Sequence, residues 1–211
     1  MTNWQTFRIG DTTAQVEDLI SKLIIERLGS RLEDFFRCKT KIPSSRTRHV
    51  KVILSQLGHE KRASKARFKV MSHGLPPEMK LSKGGEFRNA EWLYDLHWYE
   101  ENRNSHYQIT NLPLVVECEW EWKRKGDAAN DLYSAVKWDF QKLLVTNADL
   151  RVMIFRKRPD KKHQEANEHL DNYFDETIHG YRHLAPGSKF LFIAFDETGF
   201  RYNEKSKGRA K

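Results

Sequence analysis

Cysteine is scarce in this 211-residue chain: Cys38 and Cys118 are the only two, far apart and in no metal-ligand spacing. That excludes a disulfide framework and a zinc ribbon, and both read as reduced thiols. Long apolar runs are also missing, since none approaches the roughly 18 residues a membrane-spanning helix needs. The first residues, Met1-Thr2-Asn3-Trp4, lack the basic-then-hydrophobic order of a secretory leader. There is no Gly-x-Ser-x-Gly elbow and no paired nucleophile and base, which argues against a Ser/His/Asp or Cys/His hydrolase. With a mean hydropathy of −0.77, the chain is expected to be a cytoplasmic protein with a small, tight core and no membrane partner.

Acids are outnumbered, with 29 Asp and Glu against 37 Lys and Arg and a formal charge of +8. The excess favours a polyanionic partner, nucleic acid first and an anionic membrane surface second. The length suits one domain with a small appendage.

Apolar residues Val16, Leu19, Ile20, Leu23, Ile24 and Leu28 recur at three and four, predicting an amphipathic helix that ends near Gly29. A short second helix runs through Leu32 and Phe35-Phe36. Pro43-Ser44-Ser45 breaks the pattern, and Val50, Ile53, Leu54 and Leu57 then define a helix stopping at Gly58. The basic stretch from Arg62 leads to a short strand at Phe68–Met71, and Pro76-Pro77 and Gly84-Gly85 bracket a loop. A strand is expected through Glu91–Tyr99, with Asp95 and His97 on one face, and a third begins at Pro113. After Gly126 come a helix with Leu132, Val136, Phe140, Leu143 and Leu144, a buried strand at 151–155, a helix over about 164–178 and a last buried strand at 189–195. The expected organisation is an N-terminal helical extension (1–45), an α/β core (46–200) and a basic, mobile tail (201–211).

The strand Leu114-Val115-Val116-Glu117-Cys118-Glu119-Trp120-Glu121-Trp122-Lys123 runs from apolar residues into three acids spaced by two. Alternation puts Glu117, Glu119 and Glu121 on one face, where like charges repel unless something positive sits among them. Paired strands lie about 4.8 Å apart, so a neighbouring strand bearing Asp95 brings its carboxylate within reach of Glu117 and Glu119. Such a set of hard oxygen donors suits Mg²⁺ or Mn²⁺, and an ion there can polarise a phosphodiester and acidify an attacking water. Equally, three alternating acids can simply be a water-facing surface with tryptophans packed behind.

At these residues the chain resembles the PD-(D/E)xK nuclease superfamily, through the helix ending at Leu57-Gly58, Asp95 on the first strand of a pair, Glu117-Cys118-Glu119 on the second, and the helix with Asp139-Phe140-Gln141-Lys142. The resemblance spans about residues 46 to 196. It implies a restriction-endonuclease-like mixed β-sheet core of order αβββαβ flanked by helices, and Mg²⁺-dependent cleavage of nucleic acid, with DNA the expected partner. Asp95 and Glu117 would be metal ligands. Glu119 stands where the family usually has a lysine, so it would bind metal or position water. Two lysines could replace the missing one. Glu121-Trp122-Lys123 fits Glu-x-Lys by letters but lies at the far end of the strand. Lys142 fits the migration of that lysine to the adjoining helix, although a helical wheel turns it away from the apolar stripe. Asp139 lies closer to the buried flank and would hold a neighbouring strand or loop. The alternative is a nuclease fold without turnover, acting as a nucleic-acid-binding or protein-interaction module. A homodimer would suit cleavage of both strands.

The remaining candidates each carry two readings. His97 could ligate metal or contact phosphate, but a structural histidine is the more ordinary role. Lys61-Arg62 to Lys69, Arg156-Lys157-Arg158 and Lys161-Lys162 could grip a phosphate backbone or be solvated ends. Trp92, Trp98, Trp120 and Trp122 are expected in the core, with Trp122 the one placed to stack on a base.

Overall fold

Consecutive apolar residues in Leu150–Arg156 and Lys189–Phe195 exist because both faces of these strands are covered. In the computed structural model, which describes residues 4–8, 11, 13–31, 43–60, 68–72, 74–75, 87–88, 93–102, 104, 108–128, 130–195 and 199–208, the strands are β1 (Gln5–Phe7), β2 (Lys69–Ser72), β3 (Phe87–Arg88), β4 (Leu96–Glu101), β5 (Ile109–Glu119), β6 (Leu150–Arg156), β7 (Lys189–Phe195) and β8 (Phe200–Ser206). The described helices are α1 (Leu19–Gly29), α2 (Pro43–His59), α3 (Ser134–Leu144) and α4 (Asp160–Gly180). The strands form one mixed sheet in the order β1-β8-β7-β6-β5-β4-β2-β3. β5, β6 and β7 are mutually parallel, while β2, β4 and β5 form an antiparallel meander.

Two parallel connections, through α3 and then α4, step the same way across the sheet, so right-handed crossovers lay both helices on one face. Alternation along each strand then sorts the core into two layers. Val116, Val152, Ile154, Leu191 and Ile193 pack with Ile24, Ile25 and Leu28 of α1 and with Val50, Ile53, Leu54 and Leu57 of α2. Val115, Met153, Phe155, Phe190 and Phe192 pack with Val136 and Phe140 of α3 and with Leu170 and Phe174 of α4. The chain is therefore a mixed α/β protein with helices on both faces of its sheet.

Local chemistry explains the helix ends. Asp18 caps α1 by accepting from the Ser21 backbone N–H at 2.9 Å, and Pro43 starts α2 where its missing donor costs nothing. Arg151, 2% exposed, closes α3: its Nε donates to Leu143 O and Thr146 O, both at 3.1 Å.

Several expectations change. Residues 201–206 are not a tail but most of β8, which pairs antiparallel with β7 from Phe195↔Phe200 to Lys189↔Ser206. The N-terminal stretch is not purely helical, because β1 adds to β8 and Phe7 stacks on Phe200 with ring centroids 5.3 Å apart. Both segments join the same sheet and core as the rest. The strand expected from Glu91 begins at Leu96, leaving Asp95 in the bend just before it. β5 starts at Ile109, ahead of Pro113, and ends at Glu119, so Glu121 and Lys123 fall beyond it. The short helix through Leu32 and Phe35-Phe36, the basic stretch 61–67, the loop at 76–86 and Trp92 lie outside the described residues. No helix among the described residues is long and apolar enough to cross a membrane.

Candidate functional site

The carboxyl end of β5 gathers the titratable side chains that the sequence brought forward. The antiparallel register Leu96↔Val116 sets Asp95 beside Glu117, and the Ser72 hydroxyl donates to Asp95 O at 2.8 Å, fixing the bend. One carboxylate oxygen of Asp95 accepts the Cys118 backbone N–H at 2.9 Å. The other lies 2.9 Å from Lys51 Nζ, which reaches in from α2. The Asp95 and Lys51 side chains are 19% and 10% exposed, so this is a largely buried pair.

Odd residues of β5 face the α3 and α4 layer, and there α3 supplies the rest. Lys142 Nζ lies 2.8 Å from Asp139 Oδ1 and 3.4 Å from both carboxylate oxygens of Glu117. Glu117 is 2% exposed. Its Oε1 accepts no hydrogen bond, because the long approach of Lys142 satisfies charge rather than hydrogen-bond geometry. Glu119 Oε1 accepts the Glu121 backbone N–H at 2.7 Å, while its carboxyl also meets that of Asp139.

Crowded carboxylates in a buried place hold their protons. Burial first, then the charges of Asp95 and Asp139, push Glu117 up to about 9 against the opposing pull of Lys142. Glu119 is raised to about 7, again by burial first and then by Asp139. For Lys142, burial works against the charge, but the hydrogen bond to Asp139 and the fields of Glu117 and Asp139 outweigh it and raise its pKa. Lys142 is thus a firmly protonated ammonium, suited to holding an anion and unsuited to taking a proton.

Glu117 thus meets Lys142 and lies beside Asp95, while Glu119 is linked to Lys142 through Asp139. Two partners were not foreseen in this role. Asp139 was expected to brace a strand or loop, yet it joins Lys142 to Glu119. Lys51 was not singled out at all; its signal was a lysine one residue from Val50 on an otherwise apolar helix flank. Lys142 lies off the apolar stripe of α3 as the helical wheel implied, but its four-carbon stem reaches past the helix flank to Glu117 on β5. Lys123, the other candidate, lies beyond the strand.

His97 takes the structural role. It is fully buried between the rings of Tyr94 and Tyr99, at centroid distances of 6.2 and 5.8 Å, and burial lowers its pKa to about 4, so it stays neutral. Burial likewise pushes the Cys118 thiol well up, which leaves it a poor nucleophile. Trp98 and Trp120 are core residues, donating to Leu54 O at 3.1 Å and Thr47 Oγ1 at 2.9 Å. Trp122 is only partly buried.

Carboxylate oxygens are the donor type that a hard divalent cation prefers. Beyond burial, Asp95 and Asp139 raise the proton affinity of Glu117, Asp139 raises that of Glu119, and Glu117 Oε1 is buried with no hydrogen bond. Among the described residues, however, no group of three or more His, Cys, Asp and Glu is placed to hold a metal ion. Lysine ammoniums supply the positive charge instead, with Lys51 on Asp95 and Lys142 on Glu117 and Asp139. Compared with the profiles of known families, with curated proteins and with solved structures, the chain gives no match.

Proposed function

We propose that the chain is a Mg²⁺- or Mn²⁺-dependent phosphodiesterase acting on nucleic acid, most simply a DNA endonuclease, built on the restriction-endonuclease-like plan. The observation that carries the reading is the meeting of Lys142 from α3 with Glu117 from β5, next to Asp95 at the head of β4. The order α2-β2-β4-β5-α3-β6, with β2, β4 and β5 antiparallel in turn and β6 parallel to β5, agrees with the αβββαβ plan once the two-residue β3 is set aside. The positive net charge suits the same substrate.

Asp95, Glu117 and Glu119 would hold the cation, with Asp139 at the margin of the same cluster. A bound divalent ion would supply Lewis acidity at the phosphorus-bound oxygens and acidify water. The chain's own residues have defined tasks. Asp95 is oriented by Lys51 and by the Cys118 N–H. Lys142, charged throughout the neutral range, steadies a phosphoryl oxygen or the attacking water. Glu117 and Glu119, both raised in pKa, would have to lose their protons to serve as ligands.

Incubation of plasmid and oligonucleotide substrates with Mg²⁺ or Mn²⁺ tests the proposal. Cleavage is expected, and Asp95→Ala and Glu117→Ala should abolish it while DNA binding persists. No cleavage of any DNA or RNA, together with no divalent binding by calorimetry, overturns it. A second reading, a nuclease fold without turnover that binds nucleic acid or protein, draws on one observation: Lys51 Nζ lies 2.9 Å from the Asp95 oxygen that a cation would need.

A further inference from the structure

Just past the acidic end of β5 stand four arginines, each laid on an indole. Trp122 follows Glu119 by three residues, and its Nε1 donates to Arg156 O at 3.0 Å, which pins the ring to the end of β6. The Arg156 and Arg158 guanidinium carbons lie 4.6 and 4.2 Å from the centre of that ring. Arg46, at the start of α2, sits 5.7 Å from the ring of Trp120. Arg124 lies 3.8 Å from the ring of Trp138, the exposed neighbour of Asp139.

The charges here are uncompensated. Among the described residues, no carboxylate forms an ion pair with Arg46, Arg124, Arg156 or Arg158, although ion pairs hold Arg27, Lys51, Lys69, Lys137, Lys142, Lys189 and Lys205 elsewhere. Arg158 Nε is buried with no hydrogen-bond partner. Arg46 and Arg156 are close enough that, after burial, the charge of Arg156 lowers the pKa of Arg46. Like charges brought together and left unpaired destabilise the fold unless an anion binds them. Stacking on an indole fixes the plane of a guanidinium and turns its N–H edge outward, the arrangement for two-pronged contact with a phosphate.

We infer that Arg46, Arg124, Arg156 and Arg158, held on Trp120, Trp122 and Trp138, form a docking shelf for the phosphodiester backbone of a nucleic-acid strand. The shelf adjoins the carboxylate cluster in the chain, Trp120 coming directly after Glu119 and Trp138 directly before Asp139, so a strand lying on it runs toward that cluster. That course rests on the nuclease reading, whereas the docking itself does not. Nucleic acid is favoured over a lipid surface because the arginines ring the end of a sheet beside buried carboxylates. A bilayer would have to bring its headgroups against those acids.

The test separates docking from catalysis by working in chelator. Anisotropy of fluorescein-labelled 20-nucleotide DNA, single-stranded and duplex, is followed with the full chain at several salt concentrations. Arg156→Gln/Arg158→Gln should weaken binding at least tenfold and lower the slope of log Kd against log salt by about one for each arginine removed. Arg158→Lys, which keeps the charge, should retain the slope. Arg182→Gln, at the opposite end of the parallel strands, should change neither. Unchanged binding by a folded Arg156→Gln/Arg158→Gln variant overturns the shelf, as does titration by phosphatidylserine vesicles with none by DNA or RNA. Arginine-dependent binding without any metal-dependent cleavage upholds the shelf and removes the nuclease reading alone.

Discussion

Lys51 and Asp95, 44 positions apart on α2 and at the head of β4, meet at 2.9 Å with little of either side chain exposed. A buried pair of this kind contributes little beyond an apolar pair, but removing one partner strands the other charge. Lys51→Met should lower the unfolding free energy by about 3 kcal/mol, read as a shift in urea midpoint at unchanged slope. Lys51→Met/Asp95→Leu should recover most of that loss. A single variant as stable as the parent would show that water, not Lys51, satisfies Asp95.

Glu117 gives a pH dependence whose sign is fixed. Its pKa rises from 4.5 to about 9 on folding, so between these values the native state keeps a proton that the unfolded chain has released. Stability therefore falls as pH rises through that window. In chelator, Glu117→Gln should be more stable than the parent chain, by a margin on the order of a few kcal/mol at the top of the window and near zero at its bottom. Denaturant melts at pH 5 and pH 9 measure the margin. A margin independent of pH would mean that Glu117 is ionised in the folded protein.

Lys142 separates charge from packing. Under the nuclease reading, Lys142→Met should reduce cleavage by about two to three orders of magnitude through loss of a fixed positive group beside the reacting phosphate. Arginine at the same place should restore part of the rate. The Lys142 partners Glu117 and Asp139 are 3% and 15% exposed, so some stability is lost with the charge, and arginine should recover more of the stability than of the rate. A loss of activity that tracks a loss of stability would assign Lys142 to the scaffold.

How much of this could be read from the chain depends on the scale of the signal. Glu117 and Glu119 announce themselves because strand periodicity is local: two residues on, the side chain returns to the same face. The parallel strands β6 and β7 are equally legible as unbroken apolar runs. β8 is not, because Phe200-Arg201-Tyr202-Asn203-Glu204-Lys205-Ser206 carries only two large apolar residues, Phe200 and Tyr202, and its strand state comes from pairing with β7. Lys51 is silent, and Asp139 shows only as a residue near the buried flank, for a related reason. On a helix drawn alone each is a charged residue at the edge of the apolar stripe, and its role exists only once α2 and α3 are laid on opposite faces of the sheet with the end of β5 between them.

Arg151 positions the helix that carries Lys142 and Asp139. Its guanidinium spans the last carbonyls of α3, a buried cation at the negative end of the helix dipole. Arg151→Met keeps the volume and removes the donors, leaving Leu143 O and Thr146 O without this partner. The expected cost is about 2 to 3 kcal/mol for hydrogen bonds to a charged group. Hydrogen exchange should quicken in the last turn of α3, and the faster exchange should spare α1. Uniform acceleration across both helices would indicate global destabilisation instead.

Gly58, at the end of α2, marks where the helix comes closest to the sheet. A Cβ there would lie 2.7 Å from Trp98 Nε1 and 2.8 Å from Trp98 Cε2. The indole cannot easily move, since it is fully buried, donates to Leu54 O at 3.1 Å and stacks on Phe68 at a centroid distance of 5.4 Å. Alanine should therefore destabilise by about 1 to 3 kcal/mol through overpacking, despite being the better helix former. Gly58→Ala/Trp98→Phe, which removes the five-membered ring that the new methyl would strike, should be less unstable than the sum of its two single variants. Strict additivity of the two would place the strain elsewhere and detach the register of α2, and with it the reach of Lys51, from the Trp98 contact.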